Sequence, residues 1–568
     1  MTALHFGYWG KARPPEEHAD ECHLLPYHCL DVAAVGVTLL KRLPALRALF
    51  AETLALDAEA SLDSWLAFCL AIHDLGKFAE SFQGQRSDLV DHLRGRVADP
   101  GKPYVVRHDT LGWLVWKQHL EDRALDQCWF GSDSEEMLEG IDWWFRATMG
   151  HHGLPPAAQG YWRQHFAPED IRAIEGFLEE LRKLFPAMAI SATNCAIDPQ
   201  TFHATSKALS WWIAGITVLA DWVGSNTRFF PYRSDACPLA DYWLEAQERA
   251  GSALDAVGVL PVPCRERSFA ELFPEIATPS PLQAWAIAAP VTSGPQIHLL
   301  EDVTGAGKTE AAVMLAHRMM TAGCADGFFI ALPTMATANA MYSRIADVYR
   351  RLFEGNASLV LAHGQRNLVE AFAESVLPVG QEEADAAQQD DTATARCNSW
   401  LADHGKRALL APAGVGTIDQ VLLATLYSKH QSLRLLGLFR KVLIVDEVHA
   451  CDAYMQRVLE TVLTFHAIAG GSVILLSATL PERMKRSLLD AFARGRLAGP
   501  LPPATSTDFP LVTSWQEGQP SAAFNPVVAR SAVCRDLTIR YVADEQEILK
   551  AIRGALAQVP SLDPATIE

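Results

Sequence analysis

Two sets of residues in this chain have the types and spacings of phosphate chemistry. The first is Val303-Thr304-Gly305-Ala306-Gly307-Lys308-Thr309, which follows the mostly apolar run 297–300 and precedes a helical stretch, 310–319. A strand, a glycine-rich turn and a helix start form the setting in which backbone N–H groups cradle phosphate oxygens. Glycines let the backbone approach, Lys308 can reach the β- and γ-phosphates, and Thr309 can offer its hydroxyl to Mg²⁺. The general GxxxxGK[ST] spacing asks for glycine at position 302, where this chain has Asp302, but the TGxGKT form is intact. Further on, the apolar run Lys441–Val445 ends in Asp446-Glu447-Val448-His449. Carboxylates at the carboxyl end of a parallel strand stand where such sheets bind ligands. Asp446 is then placed to hold Mg²⁺, and Glu447 to orient or deprotonate an attacking water. Ile474-Leu475-Leu476 runs into Ser477-Ala478-Thr479, a third strand ending in small hydroxyl residues. Order and spacing together predict an ATPase core.

The second set lies before residue 225. Ile72-His73-Asp74-Leu75-Gly76-Lys77 contains an adjacent His–Asp pair, and a second such pair is His108-Asp109. Around them are His28 in a helical stretch, His151 and His152 after Met149-Gly150, and Asp221 inside the otherwise apolar run 214–224. An aspartate in an apolar helix costs several kcal/mol unless it is paired or bound to metal. Hydrogen bonds to tryptophan or backbone are the alternative for Asp221, and a helix-surface position is the alternative for His28. Mixed imidazole and carboxylate donors suit Mn²⁺, Fe²⁺, Co²⁺ or Ni²⁺, and the absence of paired thiols argues against structural zinc. Two such ions roughly 3.5–4 Å apart would activate water and stabilise an in-line phosphodiester displacement.

These residues must be positioned by several domains, since 568 residues correspond to three or four units of about 150. Apolar residues at 49% and charged residues at 20% exclude wholesale disorder. The net charge of −19 excludes a general basic coat, so any bound polyanion must meet a local groove, metal ions or helix starts. The 11 cysteines include no CxxC pair, which predicts no disulfide framework and a reducing, cytoplasmic setting. No secretory leader is visible at the start, and the best membrane candidate, 211–224, is short and contains Asp221, so no membrane association is expected. Helical texture runs to about residue 237, followed by a helix and a proline-containing connector, Leu260-Pro261-Val262-Pro263. From 273 onward, β-rich runs at 297–300, 327–332, 358–362, 441–445 and 472–476 alternate with helices, which predicts a parallel sheet. The acidic stretch 381–394 and the proline-rich stretch 495–507 read as loops, and 536–542 with 545–557 as one strand and one helix. The expected organisation is a helical domain at 1–237, a linker at 238–272, an α/β domain at 273–520, and the start of another at 530–568.

The order H…HD…H…HH…D resembles an HD-superfamily phosphohydrolase, and TGAGKT with DEVH resembles the first RecA-like domain of a superfamily 2 helicase. Together they closely resemble the HD nuclease–helicase of type I CRISPR systems, of the Cascade-recruited kind. Trp9-Gly10-Lys11, Leu25-Pro26-Tyr27-His28, His73-Asp74-Leu75-Gly76-Lys77, Ala220-Asp221-Trp222-Val223-Gly224-Ser225, Gly416-Thr417-Ile418-Asp419-Gln420 and Asp446-Glu447-Val448-His449-Ala450 carry that resemblance. It implies an all-α HD domain followed by a RecA-like α/β domain with a parallel sheet. It implies one metal ion on His28, His73, Asp74 and Asp221, and a second on Asp74, His108, His151 and His152. Lys77 would face the scissile phosphate, and ATP with Mg²⁺ would occupy Thr304, Gly305, Gly307, Lys308, Thr309, Asp446 and Glu447, with Gln283 on adenine. The implied activity is endonucleolytic cleavage of single-stranded DNA coupled to ATP-driven 3′-to-5′ movement. The implied partner is an RNA-guided Cascade surveillance complex. His5, His18, His23 and His165 belong to no motif and are left as surface or packing residues.

One departure stands out. No QxxGRxxR-like run follows Thr479, so most of the second RecA-like domain, with its arginine finger, and the family's C-terminal domain are expected to be missing. The expectation is an incomplete motor that does not unwind DNA alone: a fragment, a truncated chain, or half of a split enzyme whose separate partner chain supplies the rest. The competing readings are an HD-type nucleotide phosphohydrolase with a regulatory ATP-binding domain, and a chain that serves recruitment only.

Overall fold

The computed structural model describes residues 3–13, 21–54, 59–131, 134–157, 159–186, 198–354, 357–363, 376–377, 397–398, 407–503, 505–529 and 544–556. Strands β1 (Trp9–Ala12) and β2 (Cys22–Leu24) pair antiparallel and lead into helix α1 (Leu25–Arg42). Nearly every residue of α1 up to Leu40 is buried, as expected for a helix apolar on all sides at the centre of a bundle. Helices α2 (Glu59–Ala71) and α5 (Pro199–Gly224) pack on it, with α4 (Ser134–Met149) against α5 and α3 (His108–Val115) against α4. Pro199 begins α5 behind the N-cap Asp198, whose carboxylate accepts the Thr201 N–H at 3.0 Å. Between α2 and α4, Trp65 meets Trp144 at 5.7 Å and 62°, an edge-on contact that locks the two helices in register.

The stretch expected as a linker is largely helical. Helix α6 (Leu239–Val257) carries Leu239, Tyr242, Ala246, Ala250, Leu254 and Val257 on one buried face. That stripe has to be covered, and α1 covers it. Tyr27 and Tyr242 stack at 4.1 Å, and the Tyr242 hydroxyl donates to buried Asp31 at 2.9 Å. Gly258, at φ +69, ends the helix, and the connector begins only there.

After α7 (Pro281–Ala288), the second layer is a sheet of β3 (Gln296–Glu301), β4 (Gly327–Leu332), β5 (Leu359–Ala362), β6 (Ala413–Thr417), β7 (Lys441–Val445), β8 (Ser472–Ser477), β9 (Leu511–Gln516) and β10 (Ala523–Pro526). The spatial order is β10-β9-β3-β8-β7-β4-β6-β5. The strands from β3 to β5 run parallel, while β9 and β10 add antiparallel. Strands β3, β4, β7 and β8 are buried on both faces, which is why each reads as a continuous apolar run. Helices α8 (Lys308–Thr321), α9 (Met335–Leu352), α10 (Gln431–Gly437), α11 (Ala453–Ile468) and α12 (Glu482–Gly495) complete this half.

The two halves touch through α5 and α10. A Cβ on Gly215 would lie 2.7 Å from the Ser432 carbonyl oxygen and 3.0 Å from the Leu436 Cβ, so the small residue admits the facing helix. Residues 528–568 form a separate unit, whose one described element is helix α13 (Glu545–Leu556). The strand expected at 536–542, the loop at 381–394 and His18 lie outside the described residues. Among the described residues, the cysteines are free and no helix is long and apolar enough to cross a membrane.

Candidate metal centre and nucleotide site

Five segments bring the N-terminal set together. Helix α1 presents His28 from its first turn, and the turn after α2 supplies His73 and Asp74. Helix α3 begins at His108, the segment after α4 supplies His151 and His152, and α5 carries Asp221 four residues before its C-cap. Asp74 is fully buried at the centre and its two oxygens face different ways. Oδ2 lies 3.2 Å from His28 Nε2 and 3.2 Å from His73 Nε2. Oδ1 lies 3.4 Å from His108 Nε2 and 3.5 Å from His151 Nε2. Asp221 Oδ1 stands 3.4 Å from His28 Nε2, and His152 Nε2 stands 2.7 Å from His108 Nε2. His28, His73 and Asp221 form one set of donor atoms within 4.8 Å of one another, and His108, His151 and His152 form another.

The orientation of these rings comes from their far edges. His73 Nδ1 donates to the Leu70 carbonyl at 2.8 Å, which turns Nε2 inward, and Tyr104 Oη meets His108 Nδ1 at 3.0 Å. Inward-facing atoms are left unsatisfied. His28 Nε2, His73 Nε2 and Asp74 Oδ1 are buried without a hydrogen-bond partner, while Asp74 Oδ2 has the Lys77 ammonium beside it. Buried polar atoms are almost always satisfied, so a ring of unsatisfied donor atoms converging on one point fits divalent cations.

Electrostatics agree. Burial pushes His28 down to about 4 and His151 well below its usual range, so both imidazoles are neutral at pH 7 with a lone pair to offer. Burial works against ionisation of Asp74, but the Lys77 ammonium and the neighbouring His73 and His28 rings outweigh it and hold the carboxyl well below the usual range. Lys77 Nζ lies 2.6 Å from Asp74 Oδ2. Lys11 Nζ lies 3.8 Å from Asp221 Oδ1.

Four buried histidines make the metal-free chain acid-sensitive. His5, His28, His298 and His466 are each lowered by burial to about 4 from 6.5. The unfolded chain therefore binds more protons between these values, and stability falls as pH drops from about 6.5 toward 4, by at most about 3 kcal/mol per site. Asp170, raised by burial to about 6, acts in the opposite sense together with Asp31, Glu121 and Asp446. His108, His151, His152 and His317 are lowered as well and add to the acid sensitivity. Calorimetry in EDTA is expected to show the melting temperature dropping across this window, and a flat profile there would contradict the burial.

Other N-terminal residues fall outside the cluster. Asp109 pairs with Arg107 at 2.8 Å and accepts the Thr110 N–H at 2.7 Å, so the second His–Asp pair contributes only its histidine. His5, His23 and His165 are all buried in packing positions, His23 being bonded to Asp31 at 2.8 Å. Three residues that position the cluster were not singled out for that role in the sequence: Lys11, Tyr104 and Gln83, a buried amide that ties Trp9 to the turn carrying Lys77. Only Lys11 lay within a quoted motif.

In the second half, the parallel registers Leu300↔Leu476 and Leu475↔Val445 bring three motifs out at the carboxyl ends of adjacent strands. Gly305 and Gly307 hold φ of +80 and +85, a conformation that favours glycine. The Lys308 ammonium donates to the carbonyls of Asp302 at 2.8 Å and Val303 at 3.1 Å, folding the loop around itself. Gln283 is buried against that loop: its Oε1 accepts from the Ser280 N–H at 2.8 Å and its Nε2 donates to the Gly307 carbonyl at 3.4 Å. Thr304 is exposed at the mouth, and Thr309 borders a cavity of about 400 Å³ with Phe273 and Arg344. At β7, the Glu447 N–H donates to Asp446 Oδ1 at 2.9 Å. Burial raises the Asp446 carboxyl, the effect a bound cation would reverse. His449 Nδ1 lies 3.3 Å from Glu447 Oε2 and 3.1 Å from Ser477 Oγ, connecting this motif to the end of β8.

Comparison with known proteins follows the same division. Residues 9–230 match the family described as Cas3, HD domain, and residues 280–487 match the DEAD/DEAH box helicase family. The CRISPR-associated endonuclease/helicase Cas3 of Escherichia coli (strain K12) is 34% identical over 512 residues, 85% of this chain and 55% of that protein. The chain joins a Cas3 HD domain to a DEAD/DEAH box helicase domain. The crystal structure of T. fusca Cas3 superposes with a TM-score of 0.76 at 26% identity, covering 98% of this chain and 61% of that Cas3. A chain in a structure described as a CRISPR RNA-guided surveillance complex, pre-nicking, shares the fold at a TM-score of 0.60 and 24% identity, over 92% of this chain and 54% of that one. The chain spans about half the length of the curated Cas3 relatives it matches, at 55% and 57%.

Proposed function

We propose that residues up to about 237 form a metal-dependent endonuclease for single-stranded DNA, and that 273–520 form an ATP-binding core of a 3′-to-5′ translocase, acting together in CRISPR interference. The observation that carries the reading is the central carboxylate of Asp74, each oxygen of which faces its own pair of imidazoles. A carboxylate in that position can bridge two cations. His28, His73, Asp74 and Asp221 would hold one, and Asp74, His108, His151 and His152 the other. Mn²⁺, Fe²⁺, Ni²⁺ or Co²⁺ bound there would lower the pKa of a water and neutralise phosphate charge. The chain itself keeps His28 and His151 unprotonated, holds Asp74 ionised, and presents the Lys77 ammonium to the scissile phosphate. In the second half Lys308 and Thr309 would engage ATP–Mg²⁺, Asp446 the ion, and Glu447 the attacking water, while Gln283 would read adenine. The partner is an RNA-guided surveillance complex that exposes a single strand, by analogy with the family's role.

Circular single-stranded DNA incubated with Mn²⁺, Fe²⁺ or Ni²⁺ and without ATP is expected to be opened endonucleolytically, and Asp74→Ala to leave it intact. An intact circle beside hydrolysis of free deoxynucleoside triphosphates would instead establish a nucleotide phosphohydrolase.

A further inference from the structure

Lys11 reaches the metal centre by an arrangement that only its strand makes possible. Strand β1 lies against the first turn of α1 because residue 10 is glycine: a Cβ there would stand 2.9 Å from Leu25 Cα and 3.2 Å from His28 Cβ. The other side of the strand is clamped by buried Gln83. Its Nε2 donates to the carbonyls of Trp9 at 2.9 Å and Lys77 at 2.7 Å, its Oε1 accepts the Trp9 N–H at 3.2 Å, and its own carbonyl accepts the Trp9 indole N–H at 3.3 Å. Lys77 Nζ also donates to the Gly10 carbonyl at 3.4 Å. One amide side chain thus fixes both the strand that carries Lys11 and the turn that carries Lys77.

The two amines stand over different carboxylates and differ in exposure. Lys77 lies 2.6 Å from Asp74, with its side chain 6% exposed. Lys11 is 3.8 Å from Asp221, too far for a hydrogen bond, with its side chain 28% exposed. An ion pair built only for stability would close that gap. Once cations engage Asp74 and Asp221, both ammonium groups lose their counter-charge, and the anion that restores it must come from outside the chain. In a protein of net charge −19, this pair with the bound ions is a focus of positive charge.

Building on the nuclease reading, we propose that Lys11 is a further substrate-binding residue, whose ammonium contacts the backbone phosphate neighbouring the one that Lys77 faces. A single strand then lies across the centre held at two successive phosphates, and a substrate with one phosphodiester can use only one of the amines.

The test compares a fluorescent oligothymidylate with bis(p-nitrophenyl) phosphate, both with Mn²⁺, in the full chain and in Lys11→Gln and Lys11→Arg. Lys11→Gln is expected to raise KM for the oligonucleotide about tenfold, the usual scale for one charged phosphate contact, and to hit it at least about fivefold harder than the single diester. The salt dependence of that KM should become shallower by about one ion. Lys11→Arg should recover most of the affinity, and Mn²⁺ affinity by calorimetry should remain that of the parent. Equal effects on both substrates, or a changed Mn²⁺ affinity with no oligonucleotide effect, would overturn the assignment and leave Lys11 as a partner of Asp221. If the unaltered chain cleaves neither substrate, the nuclease reading itself falls and takes the Lys11 assignment with it.

Discussion

Gly76→Ala is expected to dismantle the metal centre while leaving the nucleotide site intact. A Cβ at residue 76 would stand 1.8 Å from the His108 carbonyl oxygen, 2.6 Å from the Gly112 nitrogen and 2.8 Å from the His108 carbonyl carbon. All three are backbone atoms of α3, so no side chain can rotate away to admit the methyl group. The backbone conformation of residue 76 is ordinary, and its requirement is space. The turn and the helix must separate by more than an ångström, and that turn has Asp74 on one side and Lys77 on the other, while the helix begins at His108. Overpacking against rigid backbone costs about 3 kcal/mol or more. The displacement would part Asp74 Oδ1 from His108, which now stand 3.4 Å apart. The expected result is a lower melting temperature, Mn²⁺ stoichiometry reduced to one or none by calorimetry, and cleavage of circular DNA lower by at least about a hundredfold. Binding of a fluorescent ATP analogue should persist, because α3 lies in the other half of the chain. A variant that melts and binds Mn²⁺ like the parent would show that the close approach of turn and helix is wrong.

The parts of this structure that were legible in the sequence are those whose physics is local. Gly305, Gly307 and Lys308 lie within a few residues of one another, and the left-handed turn they make needs no distant partner. Strands β3, β4, β7 and β8 are buried on both faces and so announced themselves as apolar runs. Strand β6 did not. Its Gly414 and Gly416 are poor strand formers, and their reason lies elsewhere in the chain: Phe329 comes within 2.6 Å of where a Cβ of Gly414 would be, and the Ala362 carbonyl within 2.4 Å of that of Gly416. The hairpin β9–β10 covers the β3 edge with short, mixed sequence that periodicity does not separate from a loop. For the metal centre, residue types were readable from the spacing, while their division of labour came only with the family resemblance. That Asp74 stands between two imidazole pairs depends on the meeting of α1, α3 and the segments after α2 and α4. Gln83 was invisible because a buried amide bonded to distant backbone has no sequence signature.

Asp74→Asn tests that central position with the least change of shape. The amide keeps the volume of the carboxylate and removes its charge, leaving Lys77, now 2.6 Å from Asp74 and almost fully buried, without an anion. Breaking a buried pair from one side costs about 3–5 kcal/mol unless the surviving group gives up its charge. The sign of the pH dependence follows from the carboxyl, which is held well below its usual range in the folded chain. Its contribution is complete above the unfolded value near 4 and is lost only as pH falls further, so the carboxyl itself adds no pH dependence to the gap between parent and variant in EDTA from about pH 7 down to about 4. Added Mn²⁺ separates the roles. It should stabilise the parent in proportion to the logarithm of its concentration over Kd, while the variant, deprived of the carboxylate that stands between the two imidazole sets, should show little or no shift. Cleavage of circular DNA should fall by at least about a thousandfold, since the loss reaches both halves of the centre at once. A variant that gains as much melting temperature from Mn²⁺ as the parent would place the cations elsewhere than across Asp74. Unchanged binding of an ATP analogue would show in the same sample that the second half of the chain is folded.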